Sequence, residues 1–184
     1  MDAILDQFIS YMRDGSDEEL QDTDINMLLQ ELVIQFKPLD IRFTIQDVPV
    51  IQARSQSLKR MIGNLINNSR RYGAEPIELS AKVEDEHIFI RVADNGEGIP
   101  EDQIEDLMQP FVRGDEARTV QGSGLGLAIV KRIVDMHQGQ LSIHNRPEGG
   151  LEAVICLPIL HDEIEENVPH STLGKIKQTF TGHF

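Results

Sequence analysis

Residues 57–72 constrain the fold more than any other stretch of this chain. Leu58, Met61, Ile62, Leu65 and Ile66 recur at three- and four-residue intervals, which predicts an α-helix with one apolar face. Such a face needs a second layer to cover it. Gly73 follows and closes the helix as a C-cap. Two alternating runs come next, residues 77–83 and 87–93, joined by the acidic turn Glu84-Asp85-Glu86. Alternation is the period of a strand with one buried face, so the pair predicts an antiparallel hairpin.

The flanking sequence adds elements of the same kinds. Residues 2–13 carry Leu5, Phe8, Ile9 and Met12 at helical spacing, and residues 14–22 are polar and acidic, as in a linker. Asp24 can cap a helix reaching about Phe36, with Leu28, Leu29, Leu32 and Val33 inward and Pro38 as its stop. Residues 41–46 alternate as a strand. Residues 94–124 are rich in Gly, Pro and charge, with a short helix near 102–108; so long a loop in a small domain is usually functional. A helix over about 125–137, with Gly139 past its end, precedes strands at 140–144 and 151–157. The order predicts an α/β fold, a two-layer sandwich of three helices on a mixed, mostly antiparallel sheet. Residues 23–160 form the domain in this reading, and residues 161–184 an acidic, mobile tail.

Charge narrows the function. The chain has 31 acidic and 17 Lys or Arg residues among 184, a formal net charge of −14. Such a surface repels nucleic-acid backbones. Any anionic ligand must therefore be met by local cations, amide groups or a metal ion. Cys156 is the only cysteine, so neither an internal disulfide nor a cysteine metal site is available. No apolar run is long enough to span a bilayer, and the start of the chain lacks a signal-peptide pattern.

Three stretches carry candidate chemistry. Asn64, Asn68 and Arg71 fall on one side of the 57–72 helix, where amides can ligate a hard cation and the guanidinium can reach phosphate. A solvated helix face has the same look. Asp94-Asn95-Gly96-Glu97-Gly98-Ile99-Pro100 follows a strand, and its glycines let backbone approach a ligand. An ordinary turn would read alike. Gly122, Ser123, Gly124, Leu125 and Gly126 open a helix, whose free amide groups suit a polyphosphate. A flexible linker is the plain alternative. No Gly-Lys-Ser/Thr follows, so this is not a P-loop.

Taken in order, these stretches resemble the boxes of the Bergerat (GHKL) ATPases and, among them, the histidine protein kinases of two-component systems. Pro110-Phe111-Val112-Arg113 matches the family's F box, and Gly149-Gly150 its final glycine pair. The runs NNSRRYG, QPFVRGDEART and GLGLAIVKRIVDMHQG are most similar to the EnvZ-type osmosensor kinases. The resemblance implies ATP and Mg²⁺ as cofactors. It makes Asn68 the Mg²⁺ ligand, with Asn64 beside it, and Asp94 the reader of the adenine amino group. Tyr72 would lie against the base, and Ile99 would wall its pocket. Arg71 would contact phosphate, and Arg113 and Arg118 would belong to a long ATP lid ending at Gln121. Gly122, Ser123, Gly124, Leu125 and Gly126 would hinge that lid and offer amides to the phosphates, with Gly96 and Gly98 shaping the base site. Asn68, Arg71 and Arg113 would be the catalytic set of a protein-histidine kinase.

The family's phosphoacceptor pattern is missing. Of the six histidines, His161 comes nearest (HDEIEE) but lacks the basic residue and proline. Residues 1–22 resemble the end of a dimerisation helix plus linker. The expectation is therefore a catalytic domain that cannot autophosphorylate alone. Its partners would be an upstream dimerisation and phosphoacceptor domain and a response regulator. The parent protein would lie on the cytoplasmic side of a bacterial inner membrane, with this part soluble and touching neither membrane nor nucleic acid. The alternatives are a GHKL-type ATPase or a degenerate nucleotide-binding regulatory module. Against the first, Asn64 stands where those ATPases carry a catalytic glutamate.

Overall fold

The structure, a computed structural model, describes residues 17–46, 48–112 and 124–159. Strand β1 (Gln21–Asp24) leads into helix α1 (Ile25–Gln35). Strands β2 (Ile41–Ile45) and β3 (Val50–Ala53) precede helix α2 (Ser55–Tyr72) and the hairpin β4 (Ile77–Glu84) and β5 (His87–Ala93). Short helix α3 (Glu101–Leu107), helix α4 (Gly126–Met136), β6 (Gln140–Asn145) and β7 (Leu151–Pro158) complete the order.

The five-stranded sheet runs β2-β4-β5-β7-β6. β2 pairs parallel with β4, and every other pairing is antiparallel. One face of the sheet carries Ile77, Leu79 and Ala81, then Ile88, Ile90 and Val92, then Ala153, Ile155 and Leu157, all buried. The apolar faces of α1, α2 and α4 join them in one core. Full burial of each large aliphatic side chain stabilises by roughly 1.5–3 kcal/mol, so this single interface carries most of the fold's stability. α3 buries no residue. The expected two-layer α/β sandwich is the observed one.

Local chemistry explains the boundaries. The Asp24 side chain accepts the Met27 amide at 3.1 Å and caps α1, as its sequence predicts. Glu84 pairs with His87, so the hairpin turn is the two residues Asp85 and Glu86, with φ of 48° and 60°. That is the sense of turn that follows the twist of the flanking strands. Two elements are additions to the sequence reading. β1 and β3 form a separate two-stranded sheet, too short for either to show an alternation. The stretch read as linker also joins the domain at its C-terminal end. Glu18 accepts the Gln56 amide at 2.7 Å and the Ser57 amide at 3.0 Å, and the Ser57 hydroxyl donates to it at 2.7 Å. The acidic side chain thereby occupies the positive end of α2, a favourable placement.

His137 closes α4 and is buried. Its Nδ1 donates to the Ile133 carbonyl at 2.8 Å, and its Nε2 accepts the Arg54 amide at 3.2 Å. That pair of contacts requires the neutral ring. Burial lowers its pKa below the ordinary value of 6.5, outweighing the Ile133 bond, which raises it. The unfolded chain then binds the extra proton more readily than the folded one, so this contribution is present above about pH 6.5 and is lost as pH falls below it. Urea unfolding at pH 7.5 and 5.5 is expected to show a smaller acid-induced loss of stability in His137→Gln than in the wild-type chain. Equal losses would refute it.

Candidate functional site

The site forms where the C-terminal ends of α2 and β5 meet the start of α4. On α2, Asn64 and Asn68 lie one turn apart and are half-buried. Asn64 Nδ2 donates to the Arg60 carbonyl at 2.9 Å, which anchors the amide. Both amide oxygens face α4, because a Cβ added to Gly126 would stand 3.2 Å from Asn68 Oδ1 and 3.8 Å from Asn64 Oδ1. Arg71 and Tyr72 close the helix on its exposed side, Tyr72 with 45% of its surface accessible.

Asp94 ends β5 and is buried, with 4% of its surface accessible. Its Oδ1 accepts the Gly96 amide at 3.0 Å and the Leu151 amide at 3.2 Å. Among the described residues no hydrogen bond reaches Oδ2. Gly73 lies against this carboxylate: a Cβ there would stand 2.5 Å from Oδ2 and 2.7 Å from Oδ1. Only glycine leaves the carboxylate its place. The loop that follows is tied to the end of α2 as well, since Asn95 donates its amide to Ala74 O at 3.0 Å and Nδ2 to Pro76 O at 2.7 Å. Gly96 packs on Gly73 so closely that a Cβ would stand 2.7 Å from the Gly73 Cα. Gly98 holds φ of 82°, and Ile99 is half-buried.

At the third stretch, Gly124 has φ of 70° and its carbonyl accepts the Phe111 amide at 3.1 Å. The F-box and second glycine stretches are thus bonded to each other. The Leu125 side chain is buried in the core. It also offers no side-chain cap to α4. Arg113, Arg118, Gln121, Gly122 and Ser123 lie outside the described residues.

Two residues that sequence reasoning overlooked hold this assembly together. Asn145, at the end of β6, accepts the Ile99 amide at 2.9 Å and donates to the Ile99 carbonyl at 2.7 Å. Arg146 donates Nη1 to the Asp94 carbonyl at 2.9 Å and to Asn95 Oδ1 at 3.3 Å, while Nη2 pairs with Glu78 and Glu148. Glu78 also pairs with Arg91 at 2.7 Å, Arg91 with Glu152, and Glu152 with His144 at 2.7 Å. The Arg91 bond, then the charge of Arg146, hold the Glu78 carboxyl below its usual pKa despite burial. An open groove of about 430 Å³ on this polar face is lined by Arg42, Thr44, Gln46, Lys82, Glu78 and Arg91. It contains none of the candidate site residues. Among the described residues no group of three His, Cys, Asp or Glu side chains could hold a metal.

This arrangement is that of a nucleotide-binding domain of the kinase type, and the comparisons agree. Residues 53–161 match the family described as histidine kinase-, DNA gyrase B- and HSP90-like ATPases, and the chain belongs to that family. It is similar to the histidine kinase domain of the Escherichia coli osmosensor EnvZ, with 36% identity, a TM-score of 0.62, and coverage of 80% of this chain and 93% of that one. It is 35% identical over 145 residues to the sensor histidine kinase GtrS of Pseudomonas aeruginosa, covering 78% of this chain and 30% of that protein. Full-length ShkA, solved in complex with AMPPNP, shares the fold at 24% identity with a TM-score of 0.75, over 85% of this chain and 35% of that one. The chain spans less than a third of the length of GtrS.

Gly73→Ala tests the contact at the centre of the site. A methyl group there must displace the Asp94 carboxylate. Calorimetry is expected to show at least about a tenfold loss of ATP affinity, the scale of one charge-assisted hydrogen bond. Unchanged affinity would refute the role of this contact.

Proposed function

We propose that this domain holds ATP·Mg²⁺ between α2, the loop after β5 and the start of α4. It presents the γ-phosphate to a histidine on a separate dimerisation and phosphoacceptor domain, from which the phosphoryl group passes to a response regulator. The observation that carries this reading is the Asp94 carboxylate. It is buried, its Oδ1 is held by two amides, and its Oδ2 receives no hydrogen bond from the described residues. A buried acceptor with spare capacity is matched by a donor such as the exocyclic amino group of adenine. The absent side chain at Gly73 leaves room beside it. Kinship with the histidine kinases and the AMPPNP bound to ShkA support ATP as the ligand.

The residues also fit a hard divalent cation. Mg²⁺ keeps several waters and takes phosphate oxygens, so it needs few protein ligands. Asn68 would supply an amide oxygen, with Asn64 beside it, and the bound ion would offset the phosphate charge. Phosphoryl transfer depends on positioning and charge neutralisation. Asp94 and Ile99 would orient the base, with Tyr72 beside it. Arg71, Arg113 and Arg118 would draw the phosphates to an otherwise acidic protein. The glycine segment at 122–126, with Gln121 before it, would close over them. As the acceptor imidazole nitrogen bonds to the γ-phosphorus, the bond to the β,γ-bridging oxygen breaks and ADP leaves. Asn64 cannot accept a proton from water, so hydrolysis without an acceptor is slow. In this reading residues 1–22 lead from the dimerisation helix, residues 23–160 bind the nucleotide, and residues 161–184 form a tail. The parent protein sits on the cytoplasmic side of a bacterial inner membrane.

Two measurements test it. Titration with a nonhydrolysable ATP analogue in Mg²⁺ is expected to give binding that Asn68→Ala weakens about tenfold or more. No binding at millimolar ligand would refute the reading. Incubation with γ-labelled ATP is expected to leave no acid-labile phosphate on this chain alone. Label on this chain would refute the separate acceptor.

A further inference from the structure

Arg146 is the least expected charge in the molecule. Its side chain is only 8% exposed, whereas Glu148, its nearest partner, is 59% exposed. A nearly buried guanidinium in a chain of net charge −14 needs an explanation beyond solubility. Its planar fork suits several oxygens held in fixed positions. Nη1 reaches the Asp94 carbonyl and Asn95 Oδ1, while Nη2 reaches Glu78 Oε1 at 3.2 Å and Glu148 Oε1 at 2.6 Å. One side of the fork is therefore fastened to the sheet and the turn after β6, and the other to the backbone of Asp94.

The neighbouring contacts leave residue 94 little freedom. The Asp94 amide donates to Leu151 O at 3.0 Å, and the Leu151 amide returns to Asp94 Oδ1. Gly150, with φ of 93°, comes so close that a Cβ would stand 2.7 Å from the Asp94 carbonyl carbon. Beyond Asp94 the loop is pinned again, by the two bonds between Asn145 and Ile99. Consecutive residues at the end of β6 thus grip both ends of the segment 94–99.

We propose that Arg146, with Asn145, positions the Asp94 carboxylate for recognition of the adenine amino group. Neither residue touches the ligand. This inference rests on the proposal that Asp94 reads adenine. The Arg91, Glu152 and His144 pairs brace Glu78 behind Arg146, so the polar face of the sheet supports the base site on the far side of the strands. Tilting Asp94 weakens the contact to the amino group and leaves the phosphate contacts alone. Loss of Arg146 therefore lowers base selectivity, and a merely structural role would not.

The test compares ATP with purine riboside triphosphate, which lacks the 6-amino group, on the 184-residue chain. The wild-type chain is expected to favour ATP. Arg146→Met is expected to reduce that preference about tenfold by weakening ATP alone. Arg146→Lys is expected to restore part of it. Glu148→Gln, an exposed change that loosens the guanidinium without threatening the core, is expected to lower the preference less and serves if Arg146→Met does not fold. Equal weakening of both ligands, or an unchanged preference, overturns the positioning role and leaves the reading of Asp94 standing. A wild-type chain that binds both ligands equally overturns the reading of Asp94 and this inference with it.

Discussion

The contact between Asp94 at the end of β5 and the Gly150-Leu151 step at the start of β7 organises the whole site. Ladder hydrogen bonds hold the two strands together up to this point. Beyond it the carboxylate replaces the ladder, accepting the Leu151 amide with the same oxygen that accepts Gly96. A buried carboxylate is costly unless its oxygens are satisfied. Oδ1 is satisfied internally, while Oδ2 receives no hydrogen bond from the described residues. Gly73 and Gly150 lack side chains because the contact leaves space for neither.

The helical layer and the polar face contribute differently to this contact. α2 delivers Gly73 to the carboxylate and, one and two turns earlier, Asn68 and Asn64 to the start of α4. Its apolar face is in the core, so the asparagines are placed by burial of Leu58, Met61, Ile62, Leu65 and Ile66. Among the described residues, no helix of the core packs on the opposite face of the sheet. There Arg91 and Arg146, with Glu78, Glu152 and Glu148, form a network of paired charges. A pair that keeps one partner in water, as Glu148 does, adds little stability by itself. Their geometry instead determines where Arg146 points.

Much of the molecule was legible in residue order alone. The amphipathic stripe of α2, the alternation of β4, β5 and β7, and the cap at Asp24 are local patterns, and each became the element its period implied. The Asn, Asp and glycine stretches were legible as a set because their spacing matches a known family. β1, β3 and the role of Glu18 were not. Strands of four residues show no usable period, and an acidic residue in a polar run looks solvated until the helix end it caps is in view. The acceptor role of His137 was hidden for the same reason: it depends on the Arg54 amide, 83 residues away in sequence.

The sequence by itself determined the fold class and the family, and it singled out the groups proposed to meet a nucleotide. Those follow from short-range periodicity and from residue types at set intervals. Only the tertiary structure decided that no described residue bonds to Asp94 Oδ2 and that Gly126 faces the two asparagines. It alone revealed that Asn145 and Arg146 hold the loop from behind. Asn145 lies 46 residues from Ile99, and Arg146 lies 52 from Asp94. No local pattern encodes such contacts, because pairing of the strands brings those residues together.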